Sequence, residues 1–286
     1  MSFDSQQYKS TQHQHWELAA TGWNKWQSFM ESASQQMSDR MADLAELEPG
    51  QHILDIASGS GEPAITAAKR VGPQGRVVAT DLSAAMLELG QKRAQSLGLA
   101  NIDFQVVDGE ALDFADNGFD AVLCRLGLMF FPNPDATLEQ VHRMLTPGGR
   151  FVATVWGSPQ QVPMADVIIS VMQTMLELPP SAPGTPGVFS LGASELLEGK
   201  YTRAGYFDVQ SEPLVVAFEW SSAESFVEMF RDTAPASTFA ISRQPAEQQE
   251  EIWNAITEAV QQYATADGSI YMENTAICAS GRKSTH

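Results

Sequence analysis

The stretch Ile53-Leu54-Asp55-Ile56-Ala57-Ser58-Gly59-Ser60-Gly61 decides the fold. Its apolar first half reads as a strand, its small-residue second half as a turn, and Glu62 then opens a helix. Backbone N–H groups at such a turn and helix start lack partners of their own and form a cradle for a ligand's negative group. An acid recurs where two further apolar runs stop: Asp81 after Arg76-Val77-Val78-Ala79-Thr80, and Asp108 after Phe104-Gln105-Val106-Val107. Three acids closing three consecutive strands describe one rim, and in an open α/β sheet ligands bind outside the carboxyl ends of the strands. A ligand there meets a backbone cradle and separate carboxylate acceptors. That combination suits a nucleoside carrying an amino-acid tail.

Outward from this stretch, strand and helix alternate. Ser83 is a good N-cap, and Met86, Leu89, Arg93 or Ala94, and Leu97 mark one helical face before Gly98 stops it. Phe119-Asp120-Ala121-Val122-Leu123-Cys124 reads as a fourth strand. Asn133-Pro134-Asp135 starts a helix with Leu138, Val141 and Leu145 on its apolar side. Pro147-Gly148-Gly149 turns the chain into a fifth strand, Arg150 to Trp156. This order predicts a mostly parallel sheet with helices on both faces. After Trp156 the alternation breaks into a helix-like Val162 to Leu178 and a loop rich in Pro and Gly, Leu178-Pro179-Pro180-Ser181-Ala182-Pro183-Gly184-Thr185-Pro186-Gly187. Phe207 to Trp220 and Ser269 to Ala279 read as two more strands, with helical stretches near Ser222–Arg231 and Ala246–Tyr263.

These pieces resemble the class I methyltransferases that use S-adenosylmethionine, and within them the small-molecule branch that includes the quinone-biosynthesis (ubiquinone/menaquinone) C-methyltransferases. The matching segments are Leu54 to Gly61, Thr80-Asp81-Leu82-Ser83 with Met86-Leu87, Asp108-Gly109-Glu110, and Leu145-Thr146-Pro147-Gly148-Gly149-Arg150, together covering about Gln51 to Trp156. Many relatives carry glycine where this chain has Ala57. The resemblance implies an α/β fold with a Rossmann-like, mostly parallel seven-stranded sheet, helices on both faces and a closing antiparallel pair. It divides the chain into an N-terminal helical lid (1–50), a cofactor-binding core (51–156), a cap or substrate-binding insertion after the fifth strand (157–205), and the remaining core strands with inserted helices (206–286).

The implied cofactor is S-adenosylmethionine. Asp81, followed by Leu82, would accept from both ribose hydroxyls, since an ionised carboxylate has two oxygens suited to a vicinal diol. The N–H groups around Ala57, Ser58 and Gly59 would meet the methionine moiety, with Gly61 completing the turn and Asp55 orienting it or meeting the ligand's amino group through water. Asp108 would receive the adenine amino group, with Gly109 beside the ring and Met86 against its face. Arg125 lies where relatives contact the cofactor by backbone, leaving its side chain for an acidic substrate group or a surface salt bridge.

The implied reaction is an in-line displacement that moves a methyl group to an O, N or activated C atom of a small-molecule metabolite. Collinear alignment in a dry pocket supplies much of such catalysis, and no protein nucleophile is required. An acceptor that needs a general base finds candidates in Tyr8, His13 and His15, which lie in the expected lid. His52, His142 and His286 read as structural or solvent-exposed. The lid is also rich in indole, and the spacing of Trp16, Trp23 and Trp26 predicts one shared helical face. A rival reading is an NAD(P)-dependent oxidoreductase: Gly59-Ser60-Gly61-Glu62-Pro63-Ala64 satisfies a loose G-x-G-x-x-A pattern with Asp81 at a suitable distance. Against it stand the second rim acid Asp108, the Pro147-Gly148-Gly149 turn, and the lack of a second dinucleotide half.

Composition narrows the partners. With 17 basic against 35 acidic residues the net charge is −18, which repels phosphate backbones and anionic lipid. Nucleic acid is disfavoured further because no Asn/Asp-Pro-Pro-aromatic run follows the fourth strand and Cys124 precedes Arg125 rather than following a proline. Two cysteines, Cys124 and Cys278, offer neither a disulfide framework nor metal-ligand spacing, so a reducing, cytoplasmic setting and no metal are expected. No basic-then-apolar start and no long apolar stretch is present, so no membrane partner is expected.

Overall fold

The computed structural model describes residues 3–180, 182 and 184–285. Among these, seven strands form one sheet: β1 (His52–Ile56), β2 (Arg76–Asp81), β3 (Ile102–Val106), β4 (Phe119–Arg125), β5 (Leu145–Trp156), β6 (Phe207–Trp220) and β7 (Ile270–Arg282). Their order across the sheet is β3-β2-β1-β4-β5-β7-β6. β1 pairs in parallel with β2 and β4, β2 with β3, and β4 with β5, whereas β7 runs antiparallel to both β5 and β6. Only β7 is therefore reversed. β6, beyond it, runs with the rest.

The helices are α1 (Ser5–Lys25), α2 (Gln27–Leu44), α3 (Ala64–Val71), α4 (Ala84–Ser96), α5 (Pro134–Met144), α6 (Pro163–Met175), α7 (Ser194–Arg203), α8 (Ala223–Thr233), α9 (Pro235–Ser242) and α10 (Ala246–Val260). Strand alternation sorts the core into two layers. Ile53, Val77, Ala79, Ala121 and Leu123 pack with Ala64, Ala67 and Val71 of α3. Leu54, Ile56, Val122 and Phe151 pack with Leu138, Val141 and Met144 of α5. Apolar residues at both parities explain why these strands read as continuous hydrophobic runs. Local chemistry sets the helix starts: Asp4 accepts from Gln6 N and Gln7 N, Ser83 from Met86 N, and Asn133 from Ala136 N.

Several expectations change. The N-terminal fifty residues form two helices that meet at Trp26, and α2 packs on β5, β6 and α3. Trp26 closes α1, where its Nε1 donates to Asp232 Oδ2 at 2.8 Å. Trp23 Nε1 donates to the adjacent Thr233 O, so both indoles face the end of α8. Glu62 does not open a helix, because α3 begins at Ala64. Within 157–205, α7 packs on β6 and β7 as part of the core layer, while α6 packs against α10 and β7. The Pro/Gly loop ends by fastening to the turn after β4, with Gly187 N and Ser190 Oγ donating to Met129 O at 2.9 and 2.7 Å. Ser181, Pro183 and His286 lie outside the described residues.

Candidate functional site

At the carboxyl ends of β1 to β4 lies a cleft of about 1010 Å³, counting the part open to solvent. Its floor is the turn after β1. Ala57 and Gly59 hold left-handed φ values of 57° and 53°, which curl the backbone back under the cleft at a cost that only glycine escapes. The turn is tied down from β2: Ser58 N donates to Thr80 O and Gly59 N to Asp81 Oδ2, both at 2.8 Å. Asp81 also accepts from Ser83 N through Oδ1 at 2.9 Å, so one carboxylate joins the floor to the start of α4.

These bonds revise the expected cradle. The N–H groups of Ser58 and Gly59 are already committed to β2. Ser58 belongs to the cleft lining, but its Oγ is buried and interacts with the Asp55 carboxyl beneath the floor. Asp55, expected on the rim, lies wholly buried below the floor and does not line the cleft. Its Oδ2 accepts from Ala64 N at 2.9 Å, and burial, against the Ser58 hydroxyl and the Arg125 charge that lower it, pushes its carboxyl up to about 8. Gly61 is also off the cleft. It lets α3 and α4 approach: a Cβ there would stand 3.0 Å from Gly90 Cα.

The remaining expected residues do meet. Ala57, Ser58, Gly59, Asp81, Leu82, Met86, Asp108, Gly109 and Arg125 all line one cavity. Burial raises the Asp81 carboxyl, against N–H bonds that lower it. At Gly109 a Cβ would stand 2.5 Å from Phe131 Cζ and 2.9 Å from Ile56 Cγ2, so only glycine leaves that wall open. At Gly127 a Cβ would stand 2.5 Å from that of Ala57, which brings the turn after β4 directly against the floor.

The roof is α1, which contributes Tyr8, Lys9, Gln12, Trp16 and Trp23. Lys9 Nζ reaches Asp108 Oδ2 at 2.8 Å and Glu110 Oε2 at 2.7 Å. Burial pulls its ammonium down, but these bonds outweigh it and hold Lys9 above its ordinary pKa. Trp16 packs edge-on against Trp23 and Phe130, centroids 6.2 and 6.1 Å apart, and Trp23 Nε1 donates to Thr233 O at 3.2 Å. Neither lid histidine reaches the cleft. His13 lies 3.7 Å from Glu17 on a half-exposed face, and His15 is buried against Phe239 with centroids 5.0 Å apart. Tyr8 does line it, but burial and Glu110 push its phenol up to about 12, which keeps it protonated at neutral pH.

Lys9, Gln12, Glu62, Glu110, Phe130 and Phe131 also line the cleft, and sequence reasoning assigned none of them a role there. The run Phe130-Phe131-Pro132 beyond the fourth strand was the legible signal for the last two. No described residue of 157–205 is among the lining, so the segment expected as a cap makes no contact there. Among the described residues no group of three His, Cys, Asp or Glu side chains is placed to hold a metal ion. No described helix is long and apolar enough to cross a membrane.

Residues 47–181 match a family described as a methyltransferase domain. Over 111 residues the chain is 39% identical to the ubiquinone/menaquinone biosynthesis C-methyltransferase UbiE of Hydrogenovibrio crunogenus, an alignment covering 38% of this chain and 44% of that protein. The chain thus spans less than half of that relative's length. Among solved structures, the YcgJ protein of Bacillus subtilis superposes with a TM-score of 0.59 at 20% identity, covering 87% of this chain and 99% of that one. A phosphoethanolamine N-methyltransferase of Haemonchus contortus, solved with phosphomonomethylethanolamine and S-adenosylhomocysteine, gives 0.55 at 19% identity over 87% of this chain and 53% of that one. At such identities these two likenesses concern the fold.

Proposed function

We propose, from the match of residues 47–181 to a methyltransferase domain, that the chain transfers a methyl group from S-adenosylmethionine to an oxygen, nitrogen or activated carbon atom of a small molecule. The observation that carries this reading is the composition of the one cleft. Carboxylates stand at the β2 and β3 ends, while the Arg125 guanidinium stands at the β4 end, where the lining acid Glu62 is taken by Arg93 and Thr66. A nucleoside has hydroxyl and amino donors, and an amino-acid tail has a carboxylate, so the two halves of the cleft fit the two halves of the cofactor.

When bound, the cofactor supplies a sulfonium methyl open to in-line attack. Asp81 gives one lone pair per oxygen to the protein and keeps one per oxygen for a vicinal diol. Asp108, with Oδ1 on Glu110 N and Oδ2 on Lys9, likewise keeps acceptor capacity for an amino group. Gly109 leaves room for a flat ring, and Met86 Cε lies over the floor turn, 3.5 Å from where a Cβ on Gly59 would stand. The roof of α1 excludes water, which preserves alignment and strengthens each polar contact inside. Trp16, Trp23 and Phe130 wall the part of the cleft left for the acceptor.

Among the described residues no imidazole faces this cavity, and Tyr8 and Lys9 hold their protons at neutral pH. Among the described residues the lining carboxylates are then the groups able to take a proton from the acceptor, and binding and alignment carry the rest. The nicotinamide alternative finds no support in the relatives above. Incubation with methyl-tritiated S-adenosylmethionine and a panel of phenols, hydroxyquinones, amines and thiols tests the reading. Label should move to at least one small molecule. Tight cofactor binding without transfer to any class would argue for a binding protein instead.

A further inference from the structure

Arg125 ends β4 on the cleft wall. Its guanidinium is held from behind by two neutral groups of α2: Nη1 donates to Ser34 Oγ and to Ser38 Oγ, each at 3.2 Å. Those two bonds use both protons of Nη1. Among the described residues Nε and Nη2 donate to no protein group, and no carboxylate stands within ion-pairing distance. Of the acids whose charge acts on Arg125, Glu62 first and Asp55 next, Glu62 is already committed to Arg93 at 3.0 Å and to Thr66 at 2.7 Å, and Asp55 accepts from Ala64 N at 2.9 Å. A guanidinium stays charged, and burying one against neutral partners is costly. Burial accordingly lowers the pKa of this one. The free edge, Nε with Nη2, is the fork that takes a carboxylate through two parallel bonds.

Position along the rim adds a second line of argument. The order β3-β2-β1-β4 sets Asp108, Asp81, the floor turn and Arg125 in a row. Three strand steps of about 4.8 Å separate the ends by roughly 14 Å, the reach of a nucleoside joined to an extended amino-acid tail. Anionic acceptors occupy one end and an unpaired cation the other.

We propose that Arg125 is a built carboxylate receptor in the cleft, whose free Nε and Nη2 edge takes the α-carboxylate of the cofactor's tail or an acid group of the acceptor. The inference rests on the methyl-transfer reading. Either source presents the same chemistry, and calorimetric titration separates them. S-adenosylhomocysteine carries the tail, 5′-methylthioadenosine has the same nucleoside without it, and benzoate added to protein saturated with S-adenosylhomocysteine probes the acceptor side.

If the carboxylate is the tail's, Arg125→Gln should weaken S-adenosylhomocysteine by about tenfold to a hundredfold, the worth of hydrogen bonds to a charged group, and leave 5′-methylthioadenosine unchanged. Arg125→Lys, a charge without the fork, should recover part of the loss. If the carboxylate is the acceptor's, both adenosyl ligands should bind as before and only benzoate should be lost. Should Arg125→Gln fail to fold, Ser34→Ala with Ser38→Ala, which frees the guanidinium from its support, should weaken the same carboxylate ligand by a smaller factor. Unchanged affinities for all three probes would overturn the proposal. So would equal losses for the two adenosyl ligands, since that marks general damage to the cleft. Wild-type protein that binds neither adenosyl ligand would instead remove the methyl-transfer reading, and this inference with it.

Discussion

Replacing Asp81 separates a ligand-binding carboxylate from a merely structural one. Each of its oxygens accepts one backbone N–H, Gly59 at 2.8 Å and Ser83 at 2.9 Å, which leaves one lone pair per oxygen toward the cleft. Asp81→Ala should remove two ligand bonds to a charged group, worth about 1.5–3 kcal/mol each. The expected loss of S-adenosylhomocysteine affinity is then roughly 10²- to 10⁴-fold. The same change strands the N–H groups of Gly59 and Ser83 and should cost about 1–3 kcal/mol of stability for each that water does not reach. The variant should stay folded with a lower melting temperature, so binding is titrated by calorimetry well below that temperature. Asp81→Asn keeps one acceptor oxygen and should fall between wild type and alanine. A folded Asp81→Ala protein that binds S-adenosylhomocysteine within threefold of wild type would refute the reasoning.

Two further outcomes follow from the buried charges. Lys9→Met frees Asp108 and Glu110 from α1 and should speed amide exchange in its first turns and ligand dissociation severalfold; exchange rates equal to wild type would show that the ion pairs do not hold the roof. Asp55 has a folded pKa of about 8 against roughly 3.9 when unfolded. Between those values the folded state keeps a proton the unfolded state has released, so this stability is complete below about pH 4 and lost as pH rises through about 8. Asp55→Asn removes that loss, and its urea midpoint relative to wild type should rise between pH 5 and pH 8. A constant difference across that range would contradict the burial argument.

The sheet was legible because its strands carry apolar residues at both parities and end at punctuated turns. Ile53 to Gly61, Asp81-Leu82-Ser83 and Asp108-Gly109 each place a residue at a strand end by local chemistry alone. Asp55 misled because a rim acid and a buried acid under the floor look alike until the side chain's direction within the pleat is known. The histidines of α1 misled for a related reason. Helical spacing gives relative faces, and only packing shows that Trp16 and Trp23 look into the cleft while His13 and His15 look away. Lys9 was invisible because its partners Asp108 and Glu110 lie about a hundred residues along the chain. The 157–205 segment was read whole as an insertion, although α7 within it supplies a core layer on β6 and β7.

The central claim is that this cleft holds S-adenosylmethionine, and thermal unfolding with paired cofactors tests it most directly. S-adenosylmethionine and S-adenosylhomocysteine should each raise the melting temperature in a saturable, concentration-dependent way by binding the folded state, while NAD and NADP leave it unchanged. Stabilisation by a nicotinamide cofactor with no response to either adenosyl ligand would contradict the account.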